Sequence, residues 1–140
     1  MTSPQQTAER AASAMWADDR ASQSLGMTLD EVGPGFARLS MTVRTDMTNG
    51  HGMCHGGFLF ALADSAFAFA CNSHGDATVA AGAAIDFVAP AQAGERLTAT
   101  ARERHRGRRT GVYDIEVTRG TGELVAFFRG RSHRLGKPRP

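Results

Sequence analysis

The stretch Gly57-Phe58-Leu59-Phe60-Ala61-Leu62-Ala63-Asp64-Ser65-Ala66-Phe67-Ala68-Phe69-Ala70-Cys71-Asn72 decides how this chain must fold. It reads as a helix, and Asn72-Ser73-His74-Gly75-Asp76 ends it. The helix is apolar nearly all round, so it is expected inside the molecule rather than on its surface. Its apolar run, Phe58 to Cys71, is interrupted by Asp64 and Ser65. The run also falls short of the roughly 20 residues that cross a bilayer. A membrane span is excluded, and the rest of the chain must sheathe this helix.

The flanking sequence supplies strands. Phe36 to Val43 alternates apolar with polar residues after the turn Gly33-Pro34-Gly35. Downstream, strands are predicted over Thr78–Val88, Glu95–His105, Thr110–Thr118 and Glu123–Leu135. Pro90, Gly94, Gly107 and Thr118-Arg119-Gly120-Thr121-Gly122 mark the breaks. The last three strands are long and joined by short turns, which predicts an antiparallel meander. Upstream, Thr7 to Leu25 favours helix, with Ala11, Ala14, Met15 and Leu25 on one stripe and Gly26 as the stop. Residues 1–8 are polar and expected to be a flexible start, 9–136 one domain, and 137–140 a flexible end. The class is α+β: one long central helix held by a curved antiparallel sheet.

A length of 140 residues, 41% hydrophobic and 21% charged, suits one soluble globular domain. Two cysteines, Cys54 and Cys71, make no disulfide scaffold. The first thirty residues carry no apolar run of the kind a secretory signal needs. A cytoplasmic protein is expected. The net charge of +2 hides a split, because residues 1–100 carry −5 and residues 101–140 carry +7. Nearly all of the basic groups are arginines, whose planar fork grips phosphate bidentately. A polyanionic ligand and a solvated strand face both explain that excess.

Asp64 is the most informative residue. A lone carboxylate in an apolar helix is costly unless partners satisfy it, or else its pKa shifts. One reading is a general base or nucleophile facing a cleft; the other is a structural carboxylate bonded across an interface. The loop before the helix weighs on the choice. It runs Asn49-Gly50-His51-Gly52-Met53-Cys54-His55-Gly56-Gly57 straight into the helix start. Backbone N–H groups there are unpaired and carry the positive end of the dipole. Glycines let a substrate carbonyl come close to them, and Asn49 adds a side-chain amide.

These residues resemble the hotdog-fold acyl-CoA thioesterases: Asn49-Gly50-His51, Cys54-His55-Gly56-Gly57 and Leu62-Ala63-Asp64-Ser65-Ala66-Phe67-Ala68. The likeness continues through Ile85-Asp86-Phe87, Leu97-Thr98-Ala99-Thr100-Ala101, Thr110-Gly111-Val112-Tyr113-Asp114-Ile115-Glu116 and Phe128-Arg129-Gly130-Arg131-Ser132-His133-Arg134. It is greatest to the phenylacetate-degradation branch and covers about residues 10–135.

The resemblance implies a hotdog fold with sites at a homodimer interface and a homotetramer of two dimers. It implies hydrolysis of aryl-acetyl-CoA thioesters, with no cofactor and no metal. Asp64 then corresponds to the catalytic base or nucleophile, and Gly56 to the backbone donor that polarises the thioester carbonyl. Asn49 would hold the carbonyl or the attacking water, and His55 the loop and leaving sulfur. Gly57, Met53 and Phe58 are expected against the substrate, with Arg108, Arg109 and Arg131 as candidates for the CoA phosphates; Arg106 and Arg134 are also considered. One departure stands out. Relatives often place a serine or threonine on the strand after the helix, where this chain has Ala80-Ala81-Gly82-Ala83-Ala84. Either that hydroxyl is dispensable or Thr78 stands in.

Other readings fare less well. His51, Cys54 and His55 and the pair Cys71 and His74 offer metal-ligand types. They lie at opposite ends of the helix, about 24 Å apart at helical rise, so one ion cannot bridge them. Arg102 to Arg109 has no interleaved aromatic and no nucleic-acid-binding signature. A hotdog protein that binds acyl-CoA without hydrolysing it, or one that hydrates or dehydrates it, is the rival within the fold. Asp64 also lies two turns from Gly56, so the two cannot easily serve one carbonyl from one chain. A two-fold dimer with composite sites is expected.

Overall fold

The structure is a computed structural model and describes residues 2–138. Two short helices precede the sheet, α1 (Pro4–Asp18) and α2 (Arg20–Ser24). Then come β1 (Thr28–Gly33), β2 (Phe36–Thr42), the long helix α3 (Gly56–Cys71), β3 (Asp76–Phe87), β4 (Arg96–Arg106), β5 (Thr110–Arg119) and β6 (Leu124–Pro138). The strands form one antiparallel sheet in the order β1-β2-β4-β5-β6-β3. The meander β4-β5-β6 is as the short turns predict. β3 crosses over to pair with β6, which leaves β3 at one edge.

The sheet curls around α3, whose Leu62, Ala63, Ala66, Phe67, Phe69 and Ala70 are buried against Leu39, Met41, Leu97, Ile115, Val117 and Phe128. Gly130 on β6 makes room for the Phe67 ring: a Cβ there would lie 2.7 Å from two of its carbons. Phe67 in turn meets Tyr113 and Phe128, with ring centroids 5.6 and 5.9 Å away. No helix among the described residues is long and apolar enough to cross a membrane.

Five expectations change. Residues 4–8 of the expected flexible start are helical, because Ser3 and Gln6 form a capping box. Ser3 Oγ accepts from the Gln6 N–H at 3.1 Å, and Gln6 Oε1 accepts from the Ser3 N–H at 2.9 Å. The single helix expected over Thr7–Leu25 is two, since Asp19 leaves helical geometry and caps α2 by accepting from Ser22 N–H and Oγ. The buried stripe of α1 therefore runs through Ala8 and Ala12, leaving Ala14 exposed. Strand β1 escapes the sequence reading because a bulge between Leu29 and Glu31 breaks its alternation. Of the expected flexible end 137–140, strand β6 takes in 137 and 138, and 139–140 lie outside the described residues.

The fifth change concerns α3 itself. It is not buried all round within this chain. Gly57, Phe60, Ala61, Asp64, Ser65 and Ala68 recur at helical spacing and are only half-buried or exposed. β3, at the sheet edge, likewise exposes Val79, and Phe87 and Val88 stand out at its end.

Candidate active site

His55 makes the start of α3. It is the N-cap, and its Nδ1 accepts from the Gly57 N–H at 2.9 Å. A neutral His55 therefore carries its ring proton on Nε2. The His55 carbonyl accepts from Phe58 N–H at 3.0 Å and from Leu59 N–H at 3.4 Å. That leaves the Gly56 N–H as the one first-turn donor with no partner among the described residues. It is also the donor at the positive end of a 16-residue helix.

Asn49 is oriented by its own loop. Its Oδ1 accepts from the His51 N–H at 2.9 Å and the Met53 N–H at 3.2 Å, an Asx turn that closes the loop on itself. The acceptor end is thereby used, and the Nδ2 donors have no partner among the described residues. The loop is hung on its neighbour: Cys54 N–H donates to the Ala91 carbonyl at 2.8 Å, and Met53 bridges to Gln92.

Asn49 and Gly56 meet at a cavity of about 440 Å³ lined also by Met53, Cys54, Leu59, Phe87, Val88, Ala89, Pro90 and Ala91. The cavity has an apolar wall with two sets of free donors at its edge, an arrangement suited to a carbonyl whose oxygen gains charge. Met53 is one of the residues lining the cavity. Gly57 and Phe58 do not line this cavity: the Gly57 N–H is spent on the cap, and the Phe58 ring stands edge-on to His55. Leu59 and Phe87 take that place. The sequence signal for Phe87 is an aromatic residue closing a strand directly before Val88-Ala89-Pro90.

Asp64 is not at this cavity. It sits eight residues along α3 from Gly56, about 12 Å of axial rise, on the open stripe of the helix. No hydrogen bond or ion pair among the described residues reaches its carboxylate, and burial pushes its pKa up. The Thr78 hydroxyl is used elsewhere, donating to the Asp76 carbonyl at 2.9 Å. Burial raises both thiols as well, Cys71 to about 12, which keeps them protonated and poor nucleophiles near neutral pH.

The arginines separate. Arg108 and Arg109 share a polar cavity of about 360 Å³ with His133 and Arg134, at the end of the sheet where Thr78 pairs with Arg134. Phe87 and the donor cavity lie at the other end of β3, about 30 Å away along the strand. Arg131 belongs to neither place; its guanidinium lies across Gly82 on the face of the sheet turned away from α3. Arg106 and Arg134 are engaged by Asp76, at 3.2 and 3.5 Å. Among the described residues no group of three His, Cys, Asp or Glu side chains is placed to hold a metal ion.

Comparison with known proteins places the chain in a family. The family model of the thioesterase superfamily matches residues 51–126. Acyl-coenzyme A thioesterase PaaI of Escherichia coli (strain K12) is 53% identical over 125 residues, 89% of each chain. The solved structure of the E. coli PaaI protein from the phenylacetic acid degradation operon superposes with a TM-score of 0.95 at 50% identity, over 97% of this chain and 99% of that one. A Streptococcus mutans protein solved with bound acetyl CoA superposes with a TM-score of 0.78 at 26% identity, over 81% of this chain and 91% of its own. By fold, by the family match over more than half its length and by its identity to PaaI, this chain belongs to the hotdog-fold acyl-CoA thioesterases.

Proposed function

We propose that this chain hydrolyses small aryl-acetyl-CoA thioesters, phenylacetyl-CoA and its ring-hydroxylated relatives, to the free acid and CoA. The observation that carries the reading is the pair of free donors, Gly56 N–H and Asn49 Nδ2, at the edge of an apolar cavity. A thioester carbonyl seated there gains stabilisation as its oxygen becomes an oxyanion. The acyl class is supported by the relative from the phenylacetic acid degradation operon. It is supported too by a cavity wall of Leu59, Met53 and Phe87, which suits a flat ring.

In this reading Asp64 takes a proton from water as the oxygen attacks the thioester carbon. The tetrahedral oxyanion rests on Gly56 N–H. Its collapse breaks the C–S bond, and the CoA sulfur leaves with the proton that Asp64 gained. A direct attack by the carboxylate, with a mixed anhydride then hydrolysed, uses the same groups. A carboxylate with its pKa raised by burial is the better base near neutral pH. His55 supports the loop through its cap and turns Nε2–H toward the leaving sulfur.

The working unit is a homodimer, and two such dimers make a tetramer. Pairing of the β3 edge with β3 of a second copy about a two-fold axis covers Val79 and Phe87. It also carries the second copy's Arg108 and Arg109 end toward this chain's donor cavity, where they meet the CoA phosphates. Asp64 then acts across the interface. The sparse, unpaired cysteines support a cytoplasmic setting.

Thiol release measured over acyl-CoAs from acetyl to phenylacetyl tests the substrate. Phenylacetyl-CoA should exceed acetyl-CoA by at least about tenfold in kcat/KM, about 1.4 kcal/mol; a panel led by aliphatic esters overturns the acyl assignment alone. Mixing Asn49→Ala with Asp64→Ala chains tests the shared site. Each mixed dimer holds one intact site, so activity should rise above either variant. No rise, with subunit exchange shown independently, places the whole site in one chain.

A further inference from the structure

Arg119, at the end of β5, ties the segment 90–95 beside the donor cavity to the strand end that carries it. Its Nη1 donates to both oxygens of Glu95, at 2.8 and 3.2 Å, and its Nη2 donates to the Pro90 carbonyl. Glu123 Oε1 stands 2.9 Å from its Nε. The guanidinium is largely buried, with 18% of the side chain exposed, whereas most of the chain's arginines are solvated. Nothing in the reaction as described above uses it.

What Arg119 holds is the wall of the site. The Pro90 carbonyl belongs to the segment that lines the cavity, and the very next carbonyl, Ala91, accepts from Cys54 N–H. Cys54 stands two residues before Gly56. Glu95 closes the same segment from its far side, accepting from Gln92 N–H at 2.6 Å and, through its backbone carbonyl, from Val43 N–H. Gln92 is also the residue that bridges to Met53. One side chain therefore fixes the peptide plane at Pro90, and through Ala91 and Gln92 it reaches the loop that presents Asn49 and Gly56. A planar fork meets a carboxylate through one nitrogen and a carbonyl through another, a spread of fixed directions that the single nitrogen of an ammonium does not offer.

We infer that Arg119 is a positioning residue for thioester hydrolysis, setting the spacing between the cavity wall at Pro90–Ala91 and the Gly56 donor, and with it the acyl group accepted. The inference rests on the site proposed above. A merely structural role would lower the active fraction and scale the rate for every acyl group alike. A positioning role changes the ratio between acyl groups, because a wall displaced by a fraction of an ångström is felt unequally by a ring and a methyl.

The experiment compares wild type with Arg119→Met and Arg119→Lys. Two readouts are taken: kcat/KM for phenylacetyl-CoA over acetyl-CoA, and backbone hydrogen exchange across 52–57. The ratio should change by at least about fivefold in both variants. Exchange at 52–57 should quicken by at least about tenfold, with β4 and β5 amides unaffected. Glu95→Gln keeps an acceptor for Gln92 N–H and weakens the ion pair, and it takes the place of either Arg119 variant that does not fold. A folded variant with an unchanged acyl ratio overturns the inference, and so does unchanged exchange at 52–57. If wild type hydrolyses neither ester, the proposed function fails and takes the acyl-selection part of the inference with it, while unchanged acyl ratios in an active wild-type background overturn the Arg119 inference alone.

Discussion

The Phe87 ring lies against Gly56: a methyl group added to Gly56 would come within 2.9 Å of Cζ and 3.1 Å of Cε1. The contact joins the end of β3 to the start of α3 at the donor cavity. It explains why glycine rather than alanine opens this helix, although alanine is the better helix former.

Gly56→Ala should therefore damage activity more than stability. The atoms nearest the added methyl all belong to the Phe87 ring, so a side-chain shift rather than a backbone one relieves the clash and the folding cost is small. The displaced ring and the added methyl both stand where a carbonyl approaches the Gly56 N–H. We expect kcat/KM to fall by about 10²-fold, the scale of one lost oxyanion donor, with Tm within about 2 °C of wild type. Initial rates and a thermal melt on the same preparation check this. A wild-type rate removes Gly56 from the chemistry.

Asn49 permits a cleaner separation of loop and donor. Asn49→Asp keeps an oxygen for the His51 and Met53 N–H groups but loses the Nδ2 donors. The melt should be nearly unchanged while kcat falls by about 10²-fold. Asn49→Ala loses both roles and should also cost about 1 kcal/mol of stability through the two orphaned amides. Equal activity in wild type and Asn49→Asp would show that only the turn matters.

For Asp64, burial raises the pKa in the folded chain, so the folded state holds its proton more tightly than the unfolded one. Stability is then fully present below the unfolded carboxyl pKa of about 3.9 and is lost as pH rises through the folded value. Asp64→Asn removes that loss. Its Tm should exceed wild type by about 3 °C at pH 7 and converge on it toward pH 3. The same variant should be at least about 10²-fold slower. The wild-type kcat/KM should decline with acid from an apparent pKa above the ordinary aspartate range, which a pH–rate profile reads directly.

Glu103 shifts the other way. Its Oε1 accepts from Tyr113 OH at 2.8 Å and lies 2.8 Å from His74 Nε2. Burial alone would raise its carboxyl, but these two bonds and the Arg106 charge outweigh burial and lower it. The sign is opposite to that of Asp64: this stability is present above the unfolded pKa and is lost as pH falls through the folded one. Glu103→Gln should cost about 1–2 kcal/mol at pH 7, and the difference should vanish in acid. Denaturant melts from pH 7 stepped down into acid test this, and a pH-independent difference would contradict it.

The sequence by itself determined that a long apolar helix must be sheathed by strands, because the 3.6 and 2.0 periodicities are local and survive in a single string. It also determined which residue types could carry chemistry: a carboxylate in α3, and a glycine-rich loop with Asn49 feeding the helix start. Tertiary structure decided the rest. Strand β1 lies hidden behind a bulge, and the place of β3 beside β6 comes from a crossover that no window of residues contains. Phe87 and Leu59, rather than Phe58 and Gly57, line the cavity because His55 caps the helix through Gly57 N–H and turns the first residues of α3 away. Arg108 and Arg109 fall at the far end of β3 from Gly56, and Asp64 on an open stripe apart from both. Periodicity records which way a side chain faces, but which segment it faces is set by contacts between residues dozens of positions apart, and the chain makes those only when it folds.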